Sequence, residues 1–144
     1  MTSDPIRLNV RVMKHILVVD DEAPIRLLLQ KILESAGYRV TAVADGMSSL
    51  KVAREDPPDL AICDLSMPGM DGFSVCTILK RTKSFKSPVL VLSGRVSEKD
   101  TQAALKTGAD AFIPKPVERE KLLAAVAEWL ATAEKRAAEE KTSS

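Results

Sequence analysis

From residue 15 onward the chain alternates two hydrophobic rhythms. Five short apolar runs, Ile16 to Val19 (ILVV), Arg39 to Val43 (RVTAV), Leu60 to Cys63 (LAIC), Val89 to Leu92 (VLVL) and Ala111 to Ile113 (AFI), have the length and composition of strands. The second and fifth are the least distinct. Between them lie longer segments of helical period, near residues 23–36, 47–55, 72–82 and 97–107, with a last helix from about Glu118. A strand followed by a helix, five times over, predicts an α/β fold with a parallel sheet covered by helices on both faces.

Local signals divide the chain at the same places. Pro24 stands in the opening turn of the first helix and Gly37 after its end, while Ile25, Leu28, Leu29, Ile32 and Leu33 form its predicted apolar stripe. Asp56-Pro57-Pro58-Asp59 breaks the chain before the third strand. Ser97, with Asp100 three residues on, opens another helix, and Gly108 closes it. Residues 1–13 are expected to be an N-terminal extension and residues 14–133 the folded unit. The charged, Ala-rich residues 134–144 either prolong the last helix or fray.

Composition narrows the class. The 144 residues suit one domain with a real core, and 45% hydrophobic with 28% charged residues describe a soluble globular protein. Lys and Arg number 21 against 20 Asp and Glu, so the formal charge of +1 gives no global field for DNA or for an anionic membrane, and no direct nucleic-acid partner is expected. Cys63, Cys76 and the single histidine, His15, form neither a disulfide framework nor a zinc cluster. Without a spanning apolar segment or the apolar core of a signal peptide, neither membrane insertion nor export is expected, and a cytoplasmic protein is.

The chemistry gathers at strand ends. Asp64 closes the third run, where an aspartate often only accepts backbone N–H bonds in the next turn. In an open parallel sheet, however, ligands sit beyond the carboxyl ends of the strands. The polar residues there are Asp20, Asp21 and Glu22 after the first strand, Asp64 after the third, Ser93 after the fourth and Lys115 past the fifth. Carboxylates crowded together raise one another's pKa unless a cation neutralises them. Oxygen donors without His or Cys select a hard ion, Mg²⁺ before Ca²⁺, with Mn²⁺ as a substitute. Lys115 adds a point cation and Ser93 a hydroxyl, which together suit an anion of phosphoryl type. Singly, Asp20 and Asp21 could cap a helix, Lys115 could be a loop lysine, Ser93 a turn hydroxyl and Phe112 a core aromatic. Their meeting at one sheet edge favours the joint reading.

From about Lys14 to the last helix, the chain resembles a response regulator receiver domain of two-component signalling. The resemblance is carried by Val18-Val19-Asp20-Asp21-Glu22, Asp64-Leu65-Ser66-Met67-Pro68-Gly69-Met70-Asp71-Gly72, Leu92-Ser93-Gly94 and Phe112-Ile113-Pro114-Lys115-Pro116, in that order. It implies a doubly wound, flavodoxin-like (βα)5 sheet in the order 2-1-3-4-5. It also implies that Asp64 is the phosphoacceptor, served by a sensor histidine kinase or a histidine phosphotransfer protein. Asp20, Asp21, Asp64 and the Ser66 carbonyl would hold Mg²⁺, Lys115 would pair with the phosphoryl group, and Ser93 and Phe112 would be the switch. A cis peptide between Lys115 and Pro116 is implied as well. Ser66 and Arg95 occupy positions that tune phosphate lifetime in the family. Phe112 stands where tyrosine is common, so the switch would work by packing.

On this reading the chain is a stand-alone receiver, monomeric or dimerising on phosphorylation, that reports its state to a downstream protein by contact. Self-phosphotransfer and slow autodephosphorylation would be its only catalysis. Ile25 and Leu27 on the first helix are the candidates for docking a partner. Two rivals differ in class. A haloacid-dehalogenase-like phosphatase acting through an aspartyl phosphate would need a general-acid Asp two residues after the nucleophile, where Ser66 stands. A phosphorylation-independent adaptor on the same scaffold would have no need of the acidic set, Ser93 and Lys115.

Overall fold

The computed structural model describes residues 13–64, 72–82, 85–94 and 108–142, with only the backbone of residues 72–74, 76 and 140–142. Within them the order is β1 (His15–Val19), α1 (Ala23–Ser35), β2 (Arg39–Val43), α2 (Gly46–Glu55), β3 (Leu60–Asp64), α3 (Gly72–Arg81), β4 (Val89–Ser93), β5 (Ala111–Pro114) and α4 (Arg119–Thr142). The helix expected at 97–107, with Ser97 and Asp100, lies outside the described residues. The five strands form one parallel sheet in the order β2-β1-β3-β4-β5. This is the doubly wound, flavodoxin-like α/β architecture.

The alternation of side chains along each strand builds two cores. Leu17, Val19, Ala61, Cys63, Val89 and Val91 point to one face, where Ala53 of α2 and Val75 and Leu79 of α3 cover them. Ile16, Val18, Leu60, Ile62, Leu90 and Leu92 point to the other, under Leu29 and Leu33 of α1 and Leu122 and Val126 of α4. Central strands β1, β3 and β4 are buried along their whole length, which explains why their sequences are unbroken apolar runs. The less distinct runs are the two edges: β2 is exposed at Arg39 and only half-buried beyond it, and β5 is buried only at Ile113.

Helix ends follow local chemistry. Pro24 sits in the first turn of α1, and Gly37, at φ 94°, ends the helix in the left-handed region while Tyr38 N–H donates to the Leu33 carbonyl. Asp45 caps α2 by accepting from Ser48 N–H at 2.7 Å. Gly108 also has positive φ, 99°, and its missing Cβ would lie 3.1 Å from Lys80 Cγ. That lysine passes over the glycine to reach Asp110 Oδ2 at 2.6 Å, and the same oxygen accepts from Val89 N–H at 2.8 Å.

One expectation is corrected. Leu28 is 51% exposed and does not belong to the buried stripe of α1, which consists of Leu29, Ile32 and Leu33 with Ile25 half-buried beside them. The run Leu27-Leu28-Leu29 makes three adjacent positions equally apolar, and only the direction in which the helix docks decides which one is buried. At the other end, α4 runs unbroken through Thr142.

Candidate functional site

Parallel register brings the polar strand ends to one edge. Val19 lies opposite Cys63, Asp64 opposite Leu92 and Ser93 opposite Pro114, so Asp20, Asp64, Ser93 and Lys115 follow one another across the carboxyl end of the sheet. Asp20 and Asp64 are fully buried and Ser93 is 4% exposed. One carboxylate oxygen from each of Asp20, Asp21 and Asp64 lies within 4.8 Å of the others. Lys115 Nζ stands 3.0 Å from Asp64 Oδ2.

The backbone holds these groups in place. Asp20 N–H donates to the Val43 carbonyl at the end of β2 (3.1 Å), and its Oδ1 accepts from Glu22 N–H (2.9 Å) in a tight turn at the start of α1. Arg26, one turn into that helix, donates from Nη1 to the Asp20 carbonyl at 2.7 Å. Lys115 N–H donates to the Ser93 carbonyl at 2.8 Å, which joins the base of the lysine to the end of β4. The Lys115–Pro116 peptide is cis.

Burial drives the electrostatics. Asp20 is pushed up to about 6, first because its charge is out of water and then because Asp64 and Glu22 are nearby; the Glu22 N–H bond and Lys115 oppose the rise. Asp20 Oδ2 and Asp21 Oδ1 are buried with no hydrogen-bond partner among the described residues. Polar atoms left so in a folded protein carry a desolvation cost of about 1–3 kcal/mol each, more when charged, and such groups call for a ligand. The donors are all oxygen and carry up to three negative charges, with Lys115 paired to one of them. A hard divalent cation with Mg²⁺-like preferences fits that set.

Of the residues singled out from sequence, Asp20, Asp21, Asp64, Ser93 and Lys115 meet here. Phe112 lies two strand positions before the partner of Ser93, half-buried on β5 opposite Val91 and packed against the core that contains Leu17 and Val19. Ile25 is half-buried and Leu27 is 52% exposed. Ser66 and Arg95, together with Pro68, Gly69 and Asp71, lie outside the described residues. Sequence reasoning overlooked three supports of the site, the Val43 carbonyl, the Glu22 N–H and the Arg26 guanidinium. The first two are backbone groups that no residue type signals. Arg26 follows Asp20 by six positions, a spacing that gains meaning only once the turn before α1 is known.

A cleft of about 460 Å³ opens beside the site, lined by Ile25, Leu28, Leu29, Lys115, Pro116 and Val117. It connects the outer face of α1 with the lysine that reaches Asp64. Among the described residues, no helix is long and apolar enough to cross a membrane.

Comparison with known proteins agrees with this geometry. The family model for the response regulator receiver domain matches residues 16–127. The chain is 43% identical over 103 residues to the alkaline phosphatase synthesis transcriptional regulatory protein PhoP of Bacillus subtilis, covering 72% of this chain and 42% of that protein. It is 38% identical over 106 residues to the transcriptional regulatory protein AfsQ1 of Streptomyces coelicolor, covering 74% of this chain and 46% of the other. The chain thus spans less than half the length of these relatives. Among solved structures, the chemotaxis protein CheY4 of Vibrio cholerae superposes with a TM-score of 0.79 at 32% identity, covering 82% of this chain and 99% of that one. A CheY-like receiver domain protein of Methanospirillum hungatei gives 0.80 at 31% identity, covering 86% and 98%. A parallel sheet in the order 2-1-3-4-5, an acidic cluster at its carboxyl edge and a lysine against the central aspartate therefore have one common explanation: the chain belongs to the response regulator receiver domain family of two-component signalling.

Proposed function

We propose that Asp64 accepts a phosphoryl group from a phosphohistidine on a sensor kinase or a phosphotransfer protein, and that the chain relays this state by protein contact in the cytoplasm. An Asp64 oxygen forms the new O–P bond as the donor P–N bond breaks, and the departing imidazole nitrogen keeps the electron pair and takes a proton. Lys115, 3.0 Å from Asp64 Oδ2, would meet the phosphoryl oxygens with its charge and balance the product. Asp20, Asp21 and Asp64, with the Ser66 carbonyl, would hold Mg²⁺ or Mn²⁺. When bound, that cation supplies charge neutralisation for the oxygens in transfer. The same site would release phosphate slowly to water.

Readout follows from the neighbours. Ser93, at the end of β4, would offer its hydroxyl to the new phosphoryl group. Phe112, half-buried on β5, would repack inward as the loop after β4 is drawn in, so phosphate would favour one of two arrangements of the β4–β5 side. For docking, Ile25 and the exposed Leu28 line the cleft beside Lys115, and Leu27 extends the apolar surface outside it. A helix bearing the donor histidine could place its ring near Asp64 from that side.

The observation that carries the proposal is a fully buried carboxylate that shares one pocket with two further carboxylates and touches a lysine. Incubation with acetyl phosphate and MgCl₂ should add one phosphoryl group by intact mass, labile to alkali and blocked by EDTA. Labelling that survives Asp64→Asn would refute the assignment.

A further inference from the structure

His15 is the single histidine of the chain and lies at the other end of β1 from Asp20. Its side chain is 2% exposed. The ring bridges strands, with Nε2 2.7 Å from Thr41 Oγ1 on β2. Nδ1 faces the turn before β3 and stands 3.9 Å from Asp56 Oδ1, beyond hydrogen-bond reach. Asp56 is already engaged, since both its oxygens accept from Arg39, at 2.8 and 3.2 Å. The backbone on either side of the ring is pinned as well. His15 N–H donates to Asp59 Oδ2 and the His15 carbonyl accepts from Asp59 N–H, each at 2.7 Å.

We propose that His15 is a proton-operated latch on the open edge of the sheet. Neutral, its ring ties β1 to β2 through Thr41; protonated, it selects forms in which β2 and the turn at 56–59 have opened and the ring has reached water.

The surrounding charges set the direction. Arg39 on β2 opposes a positive ring, Asp56 and Asp59 in the turn favour one, and the adjacent Lys14 is held by Glu134 of α4 at 2.8 Å. Burial and Arg39 prevail, holding the imidazole below its ordinary value of 6.5 against the pull of Asp56, the Pro57 carbonyl and Asp59. A histidine depressed in the folded state favours folding while it is neutral. That contribution is lost as pH falls below the unfolded value, because the open forms bind the proton more readily. Local opening needs less free energy than global unfolding, and an edge strand with one hydrogen-bonded neighbour is the cheapest part of the sheet to release. The last carbonyl of that strand, Val43, is the one that holds Asp20 N–H.

The test is native-state hydrogen exchange on the full chain at about pH 7.5 and about pH 5.5, corrected for intrinsic rates, with an NMR titration of the one imidazole. Protection of residues 39–43 should fall severalfold on acidification while that of residues 89–93 holds. In His15→Leu the fall in 39–43 relative to 89–93 should be absent, leaving only the change that both share as Asp20 takes up its proton, and the parent ring should titrate below 6.5. An identical acid response in His15→Leu, or a ring that titrates at or above 6.5, overturns the proposal. Should His15→Leu fail to fold, the parent decides alone: loss of protection in 39–43 must track the titration of the ring, and loss spread evenly over the sheet refutes the latch.

Discussion

Replacing Asp20 by Asn should make the metal-free protein more stable at neutral pH. Asp20 is fully buried and its carboxyl is raised from 3.8 to about 6. A carboxyl raised on folding binds its proton more tightly in the native state. Its favourable contribution is complete below 3.8 and is lost as pH climbs through about 6. At about pH 7.5 the folded protein carries a charge that the unfolded chain holds at lower cost, a difference of about 3 kcal/mol at about 1.4 kcal/mol per pKa unit. In Asp20→Asn the charge goes and Oδ1 still accepts from Glu22 N–H. The new amide needs an acceptor, and an Asp64 oxygen lies within 4.8 Å of the replaced carboxylate. Imperfect pairing there takes back about 1–2 kcal/mol, leaving a gain of about 1–2 kcal/mol. For a chain of this size that is a Tm higher by about 3–6 °C.

The assay is urea unfolding in EDTA at two pH values. At about pH 4.5 the parent Asp20 is still protonated when folded, and the advantage of the variant should shrink by about 2 kcal/mol relative to about pH 7.5. Added MgCl₂ should stabilise the parent and recover little in the variant, because a ligand that binds only the native state adds RT ln(1 + [L]/Kd). A variant no more stable than the parent at neutral pH, or a gap of equal size at both pH values, would refute the reasoning.

Three further outcomes follow from individual contacts. Lys115→Gln should fold normally and slow acetyl phosphate labelling by about 10²-fold, the usual effect of removing one preorganised charge from a transfer site; a rate within a factor of about two of the parent would remove the lysine from the chemistry. Gly108→Ala should lower stability by about 1–3 kcal/mol in chemical denaturation, because a Cβ there needs positive φ and meets Lys80 Cγ at 3.1 Å. In Leu33→Ala, loss of a fully buried side chain from the face that α1 covers should cost about 2–5 kcal/mol, whereas Leu27→Ala, at an exposed position, should stay within about 0.5 kcal/mol. Equal losses at the two leucines would mean that α1 is rotated on the sheet.

Much of the architecture was legible in the chain because central strands of a parallel sheet are buried on both faces. ILVV, LAIC and VLVL have no polar position to obscure them, and β1, β3 and β4 are buried throughout. RVTAV and AFI were harder to read because an edge strand tolerates Arg39 or Pro114 in contact with water. The site was legible for a related reason. Asp20, Asp64, Ser93 and Lys115 each interrupt or follow an apolar run at its carboxyl end, so the topology that explains the runs also gathers the exceptions.

The amino-acid order by itself determined which residues are strands, where the chain turns and which charged groups reach one edge, since these depend on near-neighbour chemistry and on a period of two or of about 3.6. Tertiary structure decided what depends on distance and direction. It buried Leu29 rather than Leu28 in α1, placed Arg26 on the Asp20 carbonyl and left Asp20 Oδ2 without a donor among the described residues. It also brought His15 to Thr41 across 26 residues and left its second nitrogen short of Asp56. Hydrophobic period fixes a face only to within one position of a helix, and the strength of a buried charge is set by atoms distant in sequence. Both therefore await the packing of one element on another.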